Sequence, residues 1–472
     1  MSSGFDEVVT PRLVLAGAGS TTGKTTLTAA VIAALRRRGT RVSPFKVGPD
    51  FVDAAYLAHV AGRACRNLDP WILGEEAILQ SFAGGCIDTD IAVIEGIRGL
   101  FDSWGAGPEG STAELSRLVD APVVLAIDVS GMVQSAAAIA LGFKTVDPRI
   151  RIAGVILNRV ESDEHARWIE EAVWQQAKVP VLGWLPEIEA LVIPEDERGL
   201  TPVAQNPGFD DRIGHLADAA ERHLDLDLLL RVAANSKPLT RIPRVETPAV
   251  DRAVRLGVAY DEAFSLYYPE NLEILAEAGA EIVPFSLLHD SHVPDVSGLY
   301  LAGASAGGFA PRLAENTRML ESIREAHLDG MPIYGECGGL MYMAEKFTGE
   351  DGSEYPMAGL LPITMSAHGQ PRRMGYREVQ VVGDNLLARA GERIRGHEMH
   401  WSRTTNGTGG TDRAYELFDA SGARLGHEGY ARPALLASDI HLHFAYNREL
   451  AHRFLEHCLK PVAEPLPAEA SG

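Results

Sequence analysis

Ala16-Gly17-Ala18-Gly19-Ser20-Thr21-Thr22-Gly23-Lys24-Thr25-Thr26 directly follows the apolar run Leu13-Val14-Leu15 and decides the fold of the N-terminal half. A buried strand that enters a glycine-rich loop and then a helical pattern, here 25–38, lets backbone N–H groups converge on phosphate oxygens at a helix N-terminus. In such a loop Gly23 gives the backbone its freedom, Lys24 supplies compensating charge, the Thr25 hydroxyl can reach Mg²⁺, and Thr26 follows on the first helical turn. Ala18 stands where the strict G-x-x-x-x-G-K-[ST] pattern has its first glycine, with Gly17 and Gly19 on either side. Working outward, Ile91-Ala-Val-Ile94, Val123-Val-Leu-Ala-Ile127 and Ile152-Ala-Gly-Val-Ile-Leu157 repeat the short branched apolar run, with helical stretches between them, and Val181-Leu-Gly-Trp184 adds another. Strand and helix in alternation predict an α/β domain with a doubly wound parallel sheet.

Acidic groups follow two of these runs. Lys46-Val-Gly-Pro-Asp50-Phe-Val-Asp53 offers a lysine and paired carboxylates, and Glu95-Gly-Ile-Arg98-Gly-Leu-Phe-Asp102 sits where the ligand crevice of such sheets opens, at a strand's C-terminal end. Mg²⁺ takes one or two carboxylates together with phosphate oxygens. The expected metal set is Thr25, Asp50 and Glu95, with Lys46 toward the nucleotide and Asp53, Arg98 and Asp102 toward a substrate.

The second half has a different centre. Pro332-Ile-Tyr-Gly-Glu-Cys337-Gly338-Gly339-Leu340 puts one cysteine on a glycine-flanked turn between an apolar run and a helical pattern, the form of a nucleophile elbow. A thiol at a helix N-terminus gains support for its thiolate and for a developing oxyanion. Ala434-Leu-Leu-Ala-Ser438-Asp439-Ile440-His441-Leu442-His443-Phe444 reads as a strand ending in two histidines, where a general base belongs. Further strands are expected at Leu256-Gly-Val-Ala-Tyr260, Glu281-Ile-Val-Pro-Phe285 and Gly298-Leu-Tyr-Leu301. The boundaries expected are 1–223 for the phosphate-binding domain, a linker at 224–252 that begins as a helical segment and continues from Asn235 through three prolines, 253–460 for the cysteine domain, and a disordered Pro/Ala/Glu tail at 461–472.

Charge and composition exclude several classes. With 43 Lys and Arg against 64 Asp and Glu, the net charge of −21 disfavours nucleic acid and anionic membranes as partners, so polyanionic small molecules must meet local cations or metal ions. No apolar run reaches the roughly 18 residues of a membrane span, and the N-terminus lacks a signal pattern. Four cysteines without close pairing fit a reducing compartment, so a cytoplasmic location is expected, and a homo-oligomer stays open.

These stretches, in this order, resemble the cobyrinic acid a,c-diamide synthase family over nearly the whole length. The resemblance also rests on Arg66-Asn-Leu-Asp-Pro-Trp71, Gly183-Trp-Leu-Pro186, Ala263-Phe-Ser-Leu-Tyr-Tyr-Pro-Glu-Asn271 and Gly396-His-Glu-Met-His400. It implies a dethiobiotin synthetase-like ATP-binding amidoligase domain joined to a class I glutamine amidotransferase domain. ATP would phosphorylate an acetate carboxylate of a tetrapyrrole, and ammonia from glutamine would displace the phosphate, twice per substrate. By the same resemblance Cys337 is the nucleophile and His441 its base, and Gly303 and Gly338 offer oxyanion N–H groups. Many triad amidotransferases carry a carboxylate two residues after this histidine; His443 stands there, so a Cys–His dyad is expected, with His443 packing nearby.

Three departures bear on the substrate. Ala302-Gly-Ala-Ser-Ala-Gly307 replaces a usual Gly-Gly-Gly-Tyr-Pro-Glu turn, Asp439 replaces a tyrosine, and Arg98 stands where the family often has an apolar residue. The default substrate is cobyrinate or hydrogenobyrinate, and the same chemistry on sirohaem or nickel-sirohydrochlorin is the alternative. A nucleotide-regulated switch or a tetrapyrrole carrier are readings of a different class, and the switch leaves Cys337 and His441 without a role.

Overall fold

A computed structural model describes residues 7–460 apart from 104, 106, 188–192, 194, 197–198, 241, 304–305, 371–372 and 408–411. The expected tail at 461–472, and Ala304 and Ser305 of the altered turn, lie outside the described residues. The chain divides into two compact units, Met1–Val245 and Glu246–Gly472.

The first unit is built on a seven-stranded sheet of β1 (Arg12–Gly17), β2 (Val42–Val47), β3 (Arg66–Leu68), β4 (Ile91–Gly99), β5 (Val123–Asp128), β6 (Ile152–Val160) and β7 (Val181–Pro186). Its order is β3-β2-β4-β1-β5-β6-β7, and every pairing is parallel. Parallel strands are covered on both faces, which is why Leu13, Val14 and Leu15 are all fully buried and why β1 reads as an unbroken apolar run. Helix α1 (Lys24–Arg37) lies in the core beneath the loop it follows. Its alanines at 29, 30, 33 and 34 let the Phe209–His223 helix pack close, while Leu27, Ile32 and Leu35 each contribute about 1.5–3 kcal/mol of burial.

The stretch read as a linker begins with the helical segment expected there, and that segment belongs to the core of the first unit. Leu226–Ala234 is a helix, and its Leu226, Leu229, Val232 and Ala233 join the same core, since the i, i+3, i+6, i+7 spacing gathers them on one face. Beyond it, Lys237 N donates to Asp120 (2.7 Å) and the Lys237 carbonyl accepts from buried Arg12.

The second unit holds a ten-stranded mixed sheet: β8 (Val254–Ala259), β9 (Ala280–Phe285), β10 (Gly298–Gly303), β11 (Ile333–Cys337), β12 (Arg373–Val381), β13 (Arg393–His400), β14 (Arg413–Asp419), β15 (Arg424–Arg432), β16 (Leu435–Ser438) and β17 (Ile440–Leu442). The order β9-β8-β10-β11-β16-β15-β14-β12-β13-β17 begins parallel and turns antiparallel at β15. The run 434–444 is therefore two strands rather than the one expected. It breaks at Asp439, whose N–H is taken by the Glu428 carboxylate (2.7 Å), so that β16 stays beside β11 while β17 pairs with β13 at the far edge. The sheet curls back on itself, because Leu442 N of that far edge donates to Glu336 on central β11 at 3.2 Å.

Candidate functional site

In the first unit the ladder register brings the phosphate-loop chemistry together. Lys46 stands opposite Glu95, and Gly17 is level with Gly99, so the loops after β1, β2 and β4 meet at one edge of the sheet. Gly23 takes a left-handed conformation (φ 75°), and a Cβ there would lie 2.3 Å from the Asn158 amide, which itself braces the loop by donating to Thr22 O at 2.9 Å. Lys24 Nζ reaches the Gly19 and Ser20 carbonyls (2.8 and 3.1 Å). Burial, and then the charge of Lys46, push its ammonium down to about 8, with Glu95 opposing.

Thr25 Oγ1 donates to Glu95 at 2.8 Å and lies 3.4 Å from Asp53, while Lys46 Nζ sits 2.7 Å from Glu95 and 2.6 Å from Asp53. Burial raises the Glu95 carboxyl, partly offset by Lys46, and buried Lys46 is held protonated by Asp53 and Glu95. The two aspartates differ in what they touch, and of the two it is Asp53 that approaches Thr25. Asp50 is the N-cap of the Phe51–Ala61 helix, accepting from Val52 N (2.8 Å) and Asp53 N (3.2 Å), and its carboxyl is pushed up to about 6 by burial and Asp53. Asp53, one turn later, is the residue that reaches Thr25. Lys46, expected toward the nucleotide, pairs here with Asp53 and Glu95. Among the described residues no group of three or more His, Cys, Asp or Glu side chains is arranged to hold a metal ion. The oxygens here do fit Mg²⁺ shared with phosphate: the Thr25 hydroxyl, Asp53, and Glu95 Oε2, a fully buried oxygen with no hydrogen-bond partner.

Beside this edge opens a cavity of about 890 Å³ lined by Ser20, Arg98, Phe101, Asp102, Asp147 and Arg149 among others. Arg98 is half-buried, with φ 49°, and its Nη1 donates to Ser103 O (3.4 Å). Asp102 is exposed at the mouth and packs on Gly99, where a Cβ would come within 2.3 Å of its carboxylate. Thr26 sits half-buried on the first turn of α1.

In the second unit Cys337 ends β11 with φ 50° and ψ −98°, a conformation few L-residues adopt, and Gly338–Met343 continues from it as a helix. That bend is the elbow expected from the sequence. Gly339 makes it possible, since a Cβ there would lie 2.0 Å from the Leu301 carbonyl. Gly303 stands level with Cys337 across the β10–β11 ladder. The turn was expected to favour thiolate, and the structure differs: burial and the charge of Asp439 push the Cys337 thiol well up, against a hydrogen bond from Gly338 N–H, and Glu336 and Glu428 push the same way. The resting thiol is therefore harder to ionise than an ordinary cysteine.

Around His441, the expected base, the structure places groups to which the sequence reading gave no role. His441 is fully buried on β17, its ring 5.1 Å from that of His397, and its Nδ1 lies 3.3 Å from Glu336 Oε2. Glu336 directly precedes the cysteine; alternation along β11 points it away from the thiol and under the histidine. Asp439, Glu428, Glu398 and His400 form a second buried group, in which His400, despite burial, is raised to about 9 by Asp439 and Glu398, while burial and then Asp439 push Glu428 up to about 7. His443 packs on Tyr268 (ring centroids 4.3 Å apart) with Nε2 3.9 Å from Glu270, and accepts from Ala445 N as the cap of a short turn.

Comparison with known proteins agrees with both halves. Residues 13–200 match the CobQ/CobB/MinD/ParA nucleotide binding domain, and residues 255–449 match the CobB/CobQ-like glutamine amidotransferase domain. A cobyrinate a,c-diamide synthase of Dehalococcoides mccartyi (strain CBDB1) is 41% identical over 454 residues, 94% of this chain and 97% of the relative. The chain belongs to the cobyrinate a,c-diamide synthase family. Family members from Syntrophotalea carbinolica (39% identical, 95% of this chain and 98% of the relative) and Listeria monocytogenes (38%, 92% and 97%) span it equally fully. As a member of the cobyrinate a,c-diamide synthase family it is an ATP-dependent carbon–nitrogen ligase with glutamine as nitrogen donor, which sets aside the switch and carrier readings. Among the described residues no helix is long and apolar enough to cross a membrane.

Proposed function

We propose that this chain amidates the a and c acetate side chains of cobyrinate, one after the other, at the expense of ATP and glutamine. The observation that carries the reading is similarity to cobyrinate a,c-diamide synthases across 94% of the chain, with candidate residues for both half-reactions present in it. A carboxylate is a poor acyl donor, so the γ-phosphate of ATP is transferred to it first. Gly23, Lys24, Thr25 and Thr26 hold the phosphates, and Lys24 offsets the charge that spreads over them in the transition state. Thr25, Asp53 and Glu95 would hold Mg²⁺, which would supply further neutralisation of the phosphate charge. Arg98 and Asp102, at the mouth of the cavity, orient the macrocycle's side chains.

At the second centre Cys337 attacks the amide carbon of glutamine as it gives its proton to His441, with Gly338 and Gly303 N–H groups supporting the oxyanion. Ammonia leaves, water cleaves the thioester to glutamate, and the ammonia displaces phosphate from the acyl phosphate. A second reading keeps this chemistry and changes the macrocycle to sirohaem or nickel-sirohydrochlorin; the cavity position of Arg98, able to pair with an additional carboxylate, is the feature that favours it. Mass spectrometry after incubation with ATP, Mg²⁺, glutamine and each macrocycle decides between them. Two amides on cobyrinate support the first reading, and amidation of only the others supports the second.

A further inference from the structure

Glu336 is a fully buried carboxylate whose four hydrogen bonds divide between its two oxygens. Oε1 accepts from Tyr334 Oη and from Leu442 N at 3.2 Å. Oε2 accepts from Tyr300 Oη at 3.2 Å and faces His441 Nδ1 at 3.3 Å. Its other hydrogen-bond partners, Tyr334 Oη, Leu442 N and Tyr300 Oη, are all donors, and an acceptor oxygen faces the histidine. It is also 2% exposed, so the interaction is not screened by water.

We propose that Glu336 is the positioning carboxylate of the amidotransferase centre, doing from the residue before the nucleophile what other enzymes of this chemistry do with a carboxylate after the histidine. The inference rests on the reading of Cys337 and His441 as nucleophile and base. With Glu336 accepting from Nδ1–H, the neutral imidazole is held in the tautomer whose Nε2 carries the lone pair. Nε2 takes the proton from Cys337 Sγ as the sulfur bonds to the glutamine amide carbon and the carbonyl π pair moves to oxygen. The imidazolium that results is stabilised by the adjacent negative charge, and Nε2 returns that proton to the departing amine as the carbon–nitrogen bond breaks and ammonia leaves. Nδ1–H stays on the Glu336 side throughout. A buried thiol pushed upward by burial and by Asp439 makes this assistance more necessary, because the histidine must compete for a proton the sulfur holds tightly. On this proposal the expected dyad gains a third residue, and the three lie on two strands, β11 and β17.

Glu336→Gln is the informative variant, and the bonding pattern fixes how the amide must sit. Oε1 receives two donors, of which Leu442 N is backbone and cannot rotate, so the glutamine oxygen takes that place and the NH₂ takes the place of Oε2. There it meets His441 Nδ1 as a donor, and the imidazole shifts its proton to Nε2, the nitrogen that has to be basic. The expected result is a loss on the order of 10²–10⁴-fold in kcat for glutamine-dependent amidation, with KM for glutamine within about twofold and ammonia-dependent amidation preserved. The acid limb of the glutamine-dependent kcat/KM profile moves down by about one unit or more, since the imidazolium has lost its counter-charge. Nitrogen NMR of ¹⁵N-histidine-labelled protein reads the tautomer directly: Nδ1–H at His441 in the wild type, Nε2–H in the variant. Wild-type protein with the proton on Nε2 overturns the proposal even if no variant folds. So does a Glu336→Gln protein whose acid limb and tautomer match the wild type, whatever its rate. If Cys337→Ala keeps glutamine-dependent amidation, the reading of the centre itself fails, which is a different result from either of these.

Discussion

Gly339→Ala sets two effects of known size against each other. Gly339 lies in the helix that starts at the elbow, and its φ is not positive, so helix propensity alone predicts that alanine stabilises the protein by about 1 kcal/mol. Packing predicts the reverse. The new Cβ would stand 2.0 Å from the Leu301 carbonyl oxygen, 3.0 Å from its carbonyl carbon and 3.3 Å from its Cβ, where real Cβ contacts under 3.0 Å essentially do not occur. Helix and strand must part by about 1 Å or more, and Leu301 sits fully buried on β10, next to β11, with no flexible side-chain tip to yield. Overpacking of a filled core costs about 1–3 kcal/mol, and a backbone obstacle belongs at the upper end, so the net effect is destabilisation by roughly 2 kcal/mol. For a unit of this size that is a fall in Tm of about 4–8 °C. Differential scanning calorimetry of full-length protein reads it, and glutamine-dependent amidation should fall along with it because the elbow itself is displaced, while ammonia-dependent amidation persists. A Gly339→Ala protein as stable as the wild type would refute the claim that glycine is required by the approach of strand to elbow.

Cys337→Ala should abolish glutamine-dependent amidation and leave the ammonia-dependent reaction, checked by parallel assays with the two nitrogen donors; His441→Ala should do the same with some residual turnover. Lys24, pushed down to about 8 by burial and Lys46, is charged at pH 7 and largely neutral at pH 9, so binding of Mg·ATP at pH 9 takes up a proton and binding at pH 7 does not. Calorimetry in buffers of different ionisation enthalpy measures the uptake, which should vanish in Lys24→Met. Arg98→Met should lower kcat/KM for the macrocycle by about ten- to hundredfold through KM and spare KM for ATP, if Arg98 pairs with a substrate carboxylate; a change under about twofold matches an exposed charge instead.

Much of this arrangement is legible in the residues because local rules act alone there. Strands β1, β4, β5 and β6 are buried on both faces, and so they appear as uninterrupted branched runs; Gly23-Lys24-Thr25 and Gly335-Glu-Cys-Gly338 carry their geometry in short spans. What escaped depends on partners far along the chain. The break at Asp439 is invisible in an apolar run that continues past it, since it is set by Glu428 and by the pairing of β17 with β13. Asp50 and Asp53 look alike until the helix start claims the first of them as its cap. Glu336 was overlooked because the eye stays on the cysteine, although strict alternation in a strand sends the residue before a nucleophile to the opposite face. The sign of the thiol shift follows first from burial and then from Asp439, both of which only folding supplies. Leu226–Ala234 reads as helical in the sequence, and what only the fold shows is that its apolar face joins the core of the first unit.

The central claim is that one chain turns cobyrinate into its a,c-diamide with nitrogen drawn from glutamine. Purified protein incubated with cobyrinate, ATP, Mg²⁺ and glutamine labelled with ¹⁵N at the side-chain amide, followed by mass spectrometry with fragmentation, tests it directly. The account predicts a product with labelled amides on both the a and c acetates, formed only when ATP is present. Cobyrinate recovered unchanged, or amides formed without the label, would contradict it.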